Sequence, residues 1–175
     1  VDKTGTLTEG RPAFNTVVGI AGTPDQEVLR LAASLDQGSE HPLAEAIVAE
    51  ARARGLQLSA APDFDSVTGM GVRGTVDGQR LLLGNHALMA ANQVPVDALA
   101  SEAERLRSSG ASVMLLAADG RALGLLAVAD PIKPSARPAV EALQARGMRV
   151  VMATGDGETT ARAVAAQLGI SEYHG

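Results

Sequence analysis

Near its start the chain reads Asp2-Lys3-Thr4-Gly5-Thr6-Leu7-Thr8, a carboxylate beside a lysine and ahead of a run of small hydroxylated residues. A carboxylate can attack a terminal phosphate and hold it covalently as an aspartyl phosphate. A free aspartate titrates near about pH 4, so Asp2 is ionised at neutral pH and needs no base to activate it. It does need positive charge, because the phosphate it approaches is also an anion. Lys3 and a Mg²⁺ ion would supply that charge by neutralising what develops on the transferred group. Thr4, Thr6 and Thr8 offer hydroxyls, and Gly5 lets the backbone turn close to a phosphate.

A second group is Thr154-Gly155-Asp156, which follows an apolar stretch and precedes a helical pattern. Open α/β sheets bind ligands at the carboxyl ends of their strands, which is where this turn falls. The Thr154 hydroxyl and the Gly155 amide could hold phosphoryl oxygens, helped by the amino end of the next helix. Taken alone, the same residues make an ordinary strand-to-helix turn with Asp156 as its cap.

The elements that must position these residues read as follows. Residues 14–21 form a strand. Thr23-Pro24-Asp25-Gln26 opens a helix by a capping box and closes at Gly38; Ser39-Glu40-His41-Pro42 opens a second helix, which Gly55 stops. Residues 64–83 are strand-like, with a hairpin signal at Asp77-Gly78, and a second hairpin at Asp119-Gly120 joins 112–117 to 122–128. Helices are expected after Asn85 and over 96–107. From Pro131 onward the pattern changes to helix 135–146, apolar strand 148–153 and helix 158–168. That alternation implies a parallel sheet covered on both faces, and Asp2 belongs at the carboxyl end of one of its strands. The expected architecture is α/β, a parallel-sheet domain over 1–10 and 129–175 interrupted by an α+β domain over 11–128 with an antiparallel sheet.

Composition narrows the field. Phe14, Phe64 and Tyr173 are the only aromatics, so the core is aliphatic. A net charge of −5 argues against nucleic acid or an anionic membrane surface as partner. With no cysteine there is neither a disulfide nor a thiolate metal site. No apolar run reaches the ~20 residues of a membrane helix, and there is no signal peptide. Val1 stands where a Met would open a chain, and Gly175 follows closely on a helix, so both ends read as cut and the chain as a soluble piece of a larger protein.

The run from Asp2 to Thr8 resembles the phosphorylation motif of P-type ATPases, the ion pumps that work through an aspartyl phosphate, and Asp130-Pro131-Ile132-Lys133-Pro134 resembles their hinge motif. Three features of the middle segment resemble the nucleotide-binding domain of the heavy-metal-transporting branch: Ser39-Glu40-His41-Pro42-Leu43-Ala44, Gly69-Met70-Gly71-Val72-Arg73-Gly74, and Gly84-Asn85. The resemblance covers essentially all 175 residues. It implies a haloacid-dehalogenase-like phosphorylation domain and ATP bound through His41, Gly69, Gly71, Gly84 and Asn85. In the family an acidic residue five positions before the histidine also contacts the base. Asp36 stands there, where Glu is common, and Glu40 is the neighbouring alternative. Asp2 is then the phosphorylated residue, served by Lys3, Thr4, Thr154, Gly155 and Asp156, with Asp2 and Thr4 on Mg²⁺. The family's magnesium motif continues as Gly-Asp-Gly-any-Asn-Asp. Gly155-Asp156-Gly157 does not, being followed by Glu158, Thr159 and Thr160.

The Lys-Gly-Ala motif and adenine-flanking aromatic of the other large branch are absent. The run from Ala33 to Val48 looks most like copper exporters, although zinc and cadmium pumps share much of it. The partners implied are the pump's own membrane and actuator domains, placing the segment on the cytoplasmic side of a membrane. By itself the chain is expected to bind ATP without turning it over. Two other readings remain. A phosphatase with the same catalytic sheet would carry a general-acid Asp two residues after its nucleophile, where Thr4 stands. A non-catalytic nucleotide-binding module would be indifferent to loss of Asp2.

Overall fold

The computed structural model describes residues 1–175. The chain folds into two compact units, one of Val1–Ala13, Glu104–Ser112 and Ala129–Gly175, the other of Phe14–Ala103 and Val113–Val128.

The second unit is built on an antiparallel sheet. Its strands are β1 (Ala13–Gly19), β2 (Asp65–Val67), β3 (Gly71–Val76), β4 (Gln79–Gly84), β5 (Ser112–Ala118) and β6 (Arg121–Ala129), in the order β1-β6-β5-β4-β3-β2, with the terminal residues Ala13, Ser112 and Ala129 counted in the first unit. Both expected hairpins form. Asp77 and Gly78 take positive φ (50° and 78°), as do Asp119 and Gly120 (47° and 79°), the left-handed turn geometry that matches strand twist. Leu123, Leu125, Leu126, Ala127 and Val128 are all buried, so β6 is covered on both faces.

Helices α1 (Asp25–Asp36) and α2 (Pro42–Ala53) pack on the sheet, with α3 (His86–Ala91) and α4 (Asp97–Ser108) following β4. The apolar stripe of α1, with Leu29, Leu31 and Leu35, meets Ile47 of α2 and Leu81, Leu83 and Leu116 of the sheet. The start of α1 differs from expectation. Pro24 takes the cap position without a side-chain cap, and the Asp25 carboxylate instead accepts the Gly19 amide at 2.7 Å. The capping box is displaced because that bond ties the helix start to the end of β1.

In the first unit, β7 (Val151–Ala153) and β8 (Glu172–His174) pair in parallel around α6 (Glu158–Leu168), and α5 (Ala136–Ala145) precedes β7. Leu7, Val140, Met152, Val164 and Leu168 form the core. The β8 strand has no counterpart in the sequence reading, since Glu172-Tyr173-His174 is short and polar. Asp2 makes a parallel bridge to Ala153 on the other side of β7. Asp2 and Thr154 therefore lie at the same carboxyl edge. No helix is long and apolar enough to cross a membrane.

Candidate functional site

The first unit gathers the polar residues around Asp2. The segment Lys3–Leu7 is an irregular turn with Gly5 at φ 78°, a left-handed position that glycine occupies without strain. Asp2 and Thr4 are exposed, whereas the Lys3 side chain folds inward and is only 6% exposed. Its Nζ lies 2.5 Å from Asp156 Oδ2. The Thr154 hydroxyl donates to the same oxygen at 3.0 Å, and the Ser112 hydroxyl donates to Oδ1 at 3.1 Å. Burial pushes the Asp156 carboxyl up, but the hydrogen bond and charge of Lys3, with the two hydroxyls, more than reverse this and hold it below the usual carboxylate range.

Two sequence expectations are modified here. The Lys3 ammonium, expected beside an incoming phosphate, is paired with Asp156, because a buried cation needs a counter-ion. The Thr154 hydroxyl, expected to hold phosphoryl oxygens, donates within its own turn. Ser112 was not anticipated. Its link to Asp156 spans 44 residues, and nothing local in the chain announces it.

A clasp of hydrogen bonds holds the turn from the far end of the sequence. The Thr8 hydroxyl donates to Asp130 Oδ2 at 2.5 Å, and the Arg11 amide donates to Oδ1 at 3.2 Å. The Glu9 amide donates to the Pro131 carbonyl, and the Lys133 amide to that of Leu7. Lys133 Nζ donates to the Gly5 carbonyl at 2.8 Å, so this lysine steadies the turn that follows Asp2. No three His, Asp or Glu side chains gather as a metal site. Asp2 and Thr4 alone fall short of the octahedral oxygen set that Mg²⁺ requires. They do not make a complete magnesium site.

In the second unit a cavity of about 450 Å³ is walled by apolar side chains such as Val72, Leu83 and Met114. Asp36, His41, Gly69, Gly71, Gly84 and Asn85 all line it. Glu40 does not; it is exposed in the loop before α2, so the acidic lining residue is Asp36. A larger cleft of about 660 Å³ bears Asp63, Arg73, Arg80 and Asp119. Size alone does not single out the site. The larger cleft contains none of the expected residues, and Arg73 there is paired with Asp65 at 2.7 Å.

His41 caps α2, its Nδ1 accepting the Leu43 amide at 3.2 Å, while Pro42 fixes the first helical residue. That bond assigns the proton of the neutral imidazole to Nε2, leaving a donor to face a ligand. Asn85 is less free than expected. Its Oδ1 accepts the Leu88 amide at 3.0 Å and its Nδ2 donates to the Gly69 carbonyl at 2.9 Å, which staples the Gly69 turn to the start of α3.

The three glycines have different reasons. At Gly69, φ is +70° and the space around a Cβ is open. Gly71 and Gly84 face each other in the ladder, and a Cβ would lie 2.2 Å from the Leu83 carbonyl oxygen in one case and 2.1 Å from that of Met70 in the other. Close backbone approach requires those two. Asp36, the last residue of α1, is 4% exposed, and its Oδ2 has no hydrogen-bond partner. Burial raises its pKa to about 7.

The family model for haloacid dehalogenase-like hydrolases matches residues 1–174. A copper-transporting P-type ATPase of Rhizobium leguminosarum bv. viciae is 48% identical over 172 residues, which are 98% of this chain and 20% of that protein. A zinc-transporting PIB-type ATPase structure in the E2.Pi state superposes with a TM-score of 0.72 at 36% identity, over 99% of this chain and 28% of that one. The catalytic domain of the CPx-ATPase CopB-B, solved in a study of conformational changes upon nucleotide binding, gives a TM-score of 0.72 at 25% identity, over 99% of this chain and 58% of that one. The chain thus spans about a fifth of the curated relative's length. With the family model matched along nearly its whole length, the chain belongs to the haloacid dehalogenase-like hydrolases, and it is similar within them to the heavy-metal P-type ATPases.

Proposed function

We propose that this chain is the ATP-binding and phosphorylation region of a heavy-metal P-type ATPase on the cytoplasmic side of a membrane, with copper export as its transport function. Residues 11–128 are the nucleotide-binding domain, and residues 1–10 with 129–175 belong to the phosphorylation domain. The carrying observation is convergence. Six residues from four separate stretches, singled out in the sequence for nucleotide binding, line one cavity. ATP is held there by His41 Nε2 and Asp36 at the base, with Gly69 admitting the ligand to the backbone. Asp2, exposed at a strand's carboxyl edge, attacks the γ-phosphorus as the bond to the β,γ-bridging oxygen breaks and ADP leaves. A Mg²⁺ ion would supply charge neutralisation here, and Asp2 and Thr4 are the residues of this chain that would contact it, as a partial set.

Copper is favoured over zinc by the 48% identity to a copper-transporting relative. The pump's membrane and actuator domains are the partners. Thr4 at the general-acid position of the related phosphatases supports a persistent phosphoenzyme over direct hydrolysis.

The test is labelling from γ-phosphate-labelled ATP in a protein carrying this segment within the length its relatives have. Acid-stable, hydroxylamine-sensitive label that disappears in Asp2→Asn is expected. Label that persists in Asp2→Asn, or continuous phosphate release without a trapped intermediate, would overturn the reading.

A further inference from the structure

One ionisable side chain in the second unit is buried without compensation. Asp36 is 4% exposed, and its Oδ2 makes no hydrogen bond. It closes α1, where the helix dipole disfavours a negative charge. Around it, the loop before α2 contributes His41 and Ser39, and α2 contributes Glu45 and Arg52, which line an adjoining cavity of about 340 Å³ that Asp36 also borders. The strands bring no charge to the larger cavity: β3 and β4 supply Gly71, Val72, Leu83 and Gly84, while β2 and β5 supply Ser66, Val67, Val113 and Met114. Nothing nearby is paired with the carboxylate.

Resting on the reading of this cavity as a nucleotide site, we propose that nucleotide binding here is proton-coupled: Asp36 is a carboxylic acid in the free protein and loses its proton to solvent when the exocyclic amine of the base docks on Oδ2. The balance is simple. The O–H bond of the acid breaks, the proton leaves to buffer, and the amine N–H donates to the carboxylate oxygen without being transferred. A pKa of about 7 in the free protein puts the exchange in the neutral range. His41 does not compete for the amine, because its Nδ1 accepts the Leu43 amide and its Nε2–H is a donor.

The experiment is calorimetry of the full 175-residue chain with ATP and with purine riboside 5′-triphosphate, which lacks the 6-amine, in buffers of differing ionisation heat. ATP is expected to release close to one proton at pH 6 and to bind about tenfold more tightly at pH 8 than at pH 6, as one linked proton requires. The 6-deamino analogue should release fewer protons by nearly one. Protons exchanged by the triphosphate are common to both ligands and cancel in the difference. Asp36→Asn should abolish the difference in proton release whatever its effect on affinity, because a carboxamide has no acidic proton to lose. Equal proton release for the two ligands in the wild type would overturn the coupling, and that comparison stands even if the variant does not fold. Equal release by wild type and Asp36→Asn would do the same while leaving the nucleotide site intact. No ATP binding at any pH would remove the site itself.

Discussion

The two units treat buried charge in opposite ways. In the first, the buried Lys3 ammonium meets Asp156, which also accepts from the Thr154 and Ser112 hydroxyls. In the second, the buried Asp36 carboxyl has an oxygen with no partner. A satisfied pair stabilises a geometry and resists change. A partnerless carboxyl is costly as an anion and stays neutral until something supplies a donor. The difference separates a unit whose buried charge is braced by partners from one whose buried carboxyl is open to a donor.

The two carboxyls also respond oppositely to pH. Asp156 has a folded-state pKa below its ordinary 3.8, so its stabilisation is present above about pH 4 and is lost as pH falls through the depressed value. Asp36 is raised from 3.8 to about 7, so its contribution is complete below about pH 4 and is lost as pH rises toward 7.

The most damaging way to break this comparison is Lys3→Met, which leaves Asp156 largely buried without its cation. A loss of about 3–5 kcal/mol is expected from removing one partner of a buried pair. Urea unfolding followed by the signal of Tyr173, the single tyrosine and a residue of the first unit, measures it. A loss below about 1 kcal/mol would mean the pair behaves as a surface ion pair.

Asp36 sharpens the contrast from the other side. Its shift of about three pH units corresponds to at most about 4 kcal/mol of stability lost between pH 4 and pH 8. Hydrogen exchange in α1 and β3, corrected for intrinsic rates, should show that slope in the wild type and not in Asp36→Asn.

The glycines come next. Gly84→Ala should destabilise the second unit by about 2–3 kcal/mol, since the added carbon meets backbone and cannot be relieved by a rotamer change. Gly69→Ala should cost about 1–2 kcal/mol, from its positive φ alone. Equal losses in parallel thermal melts would remove the distinction between close approach and turn conformation.

The smallest effect belongs to His41→Gln. Loss of one neutral donor is worth about 1 kcal/mol, a roughly fivefold weaker ATP affinity by calorimetry, with little change in stability. Unchanged affinity would take His41 out of base recognition.

Local signals were legible where the physics is local. Asp77-Gly78 and Asp119-Gly120 declared their hairpins because positive φ at both central residues favours those residue types. The helix start at His41-Pro42 was readable for a similar reason. The capping box at Thr23 failed because a bond from Asp25 to the end of β1, invisible in the helix's own residues, claimed the start of α1. The β8 strand was missed because its stability comes from lying beside β7 in a sheet, not from its three residues. Gly71 and Gly84 are read from the sequence as places for a ligand to approach, whereas the close approach that the fold shows at both is by backbone.

The order of residues along the chain determined the chemical inventory: an aspartate followed by lysine and threonine, a histidine held by proline, glycines at turns, and no thiols or membrane-length apolar run. Only the tertiary structure decided that Lys3 turns inward to Asp156, that Ser112 completes that carboxylate's partners, that Asn85 is spent on the Gly69 turn, and that Asp36 rather than Glu40 lines the cavity unpartnered. The reason is physical. A residue's type and its immediate neighbours set what it can donate, accept or carry, but burial and the choice of partner depend on groups brought near from tens of residues away.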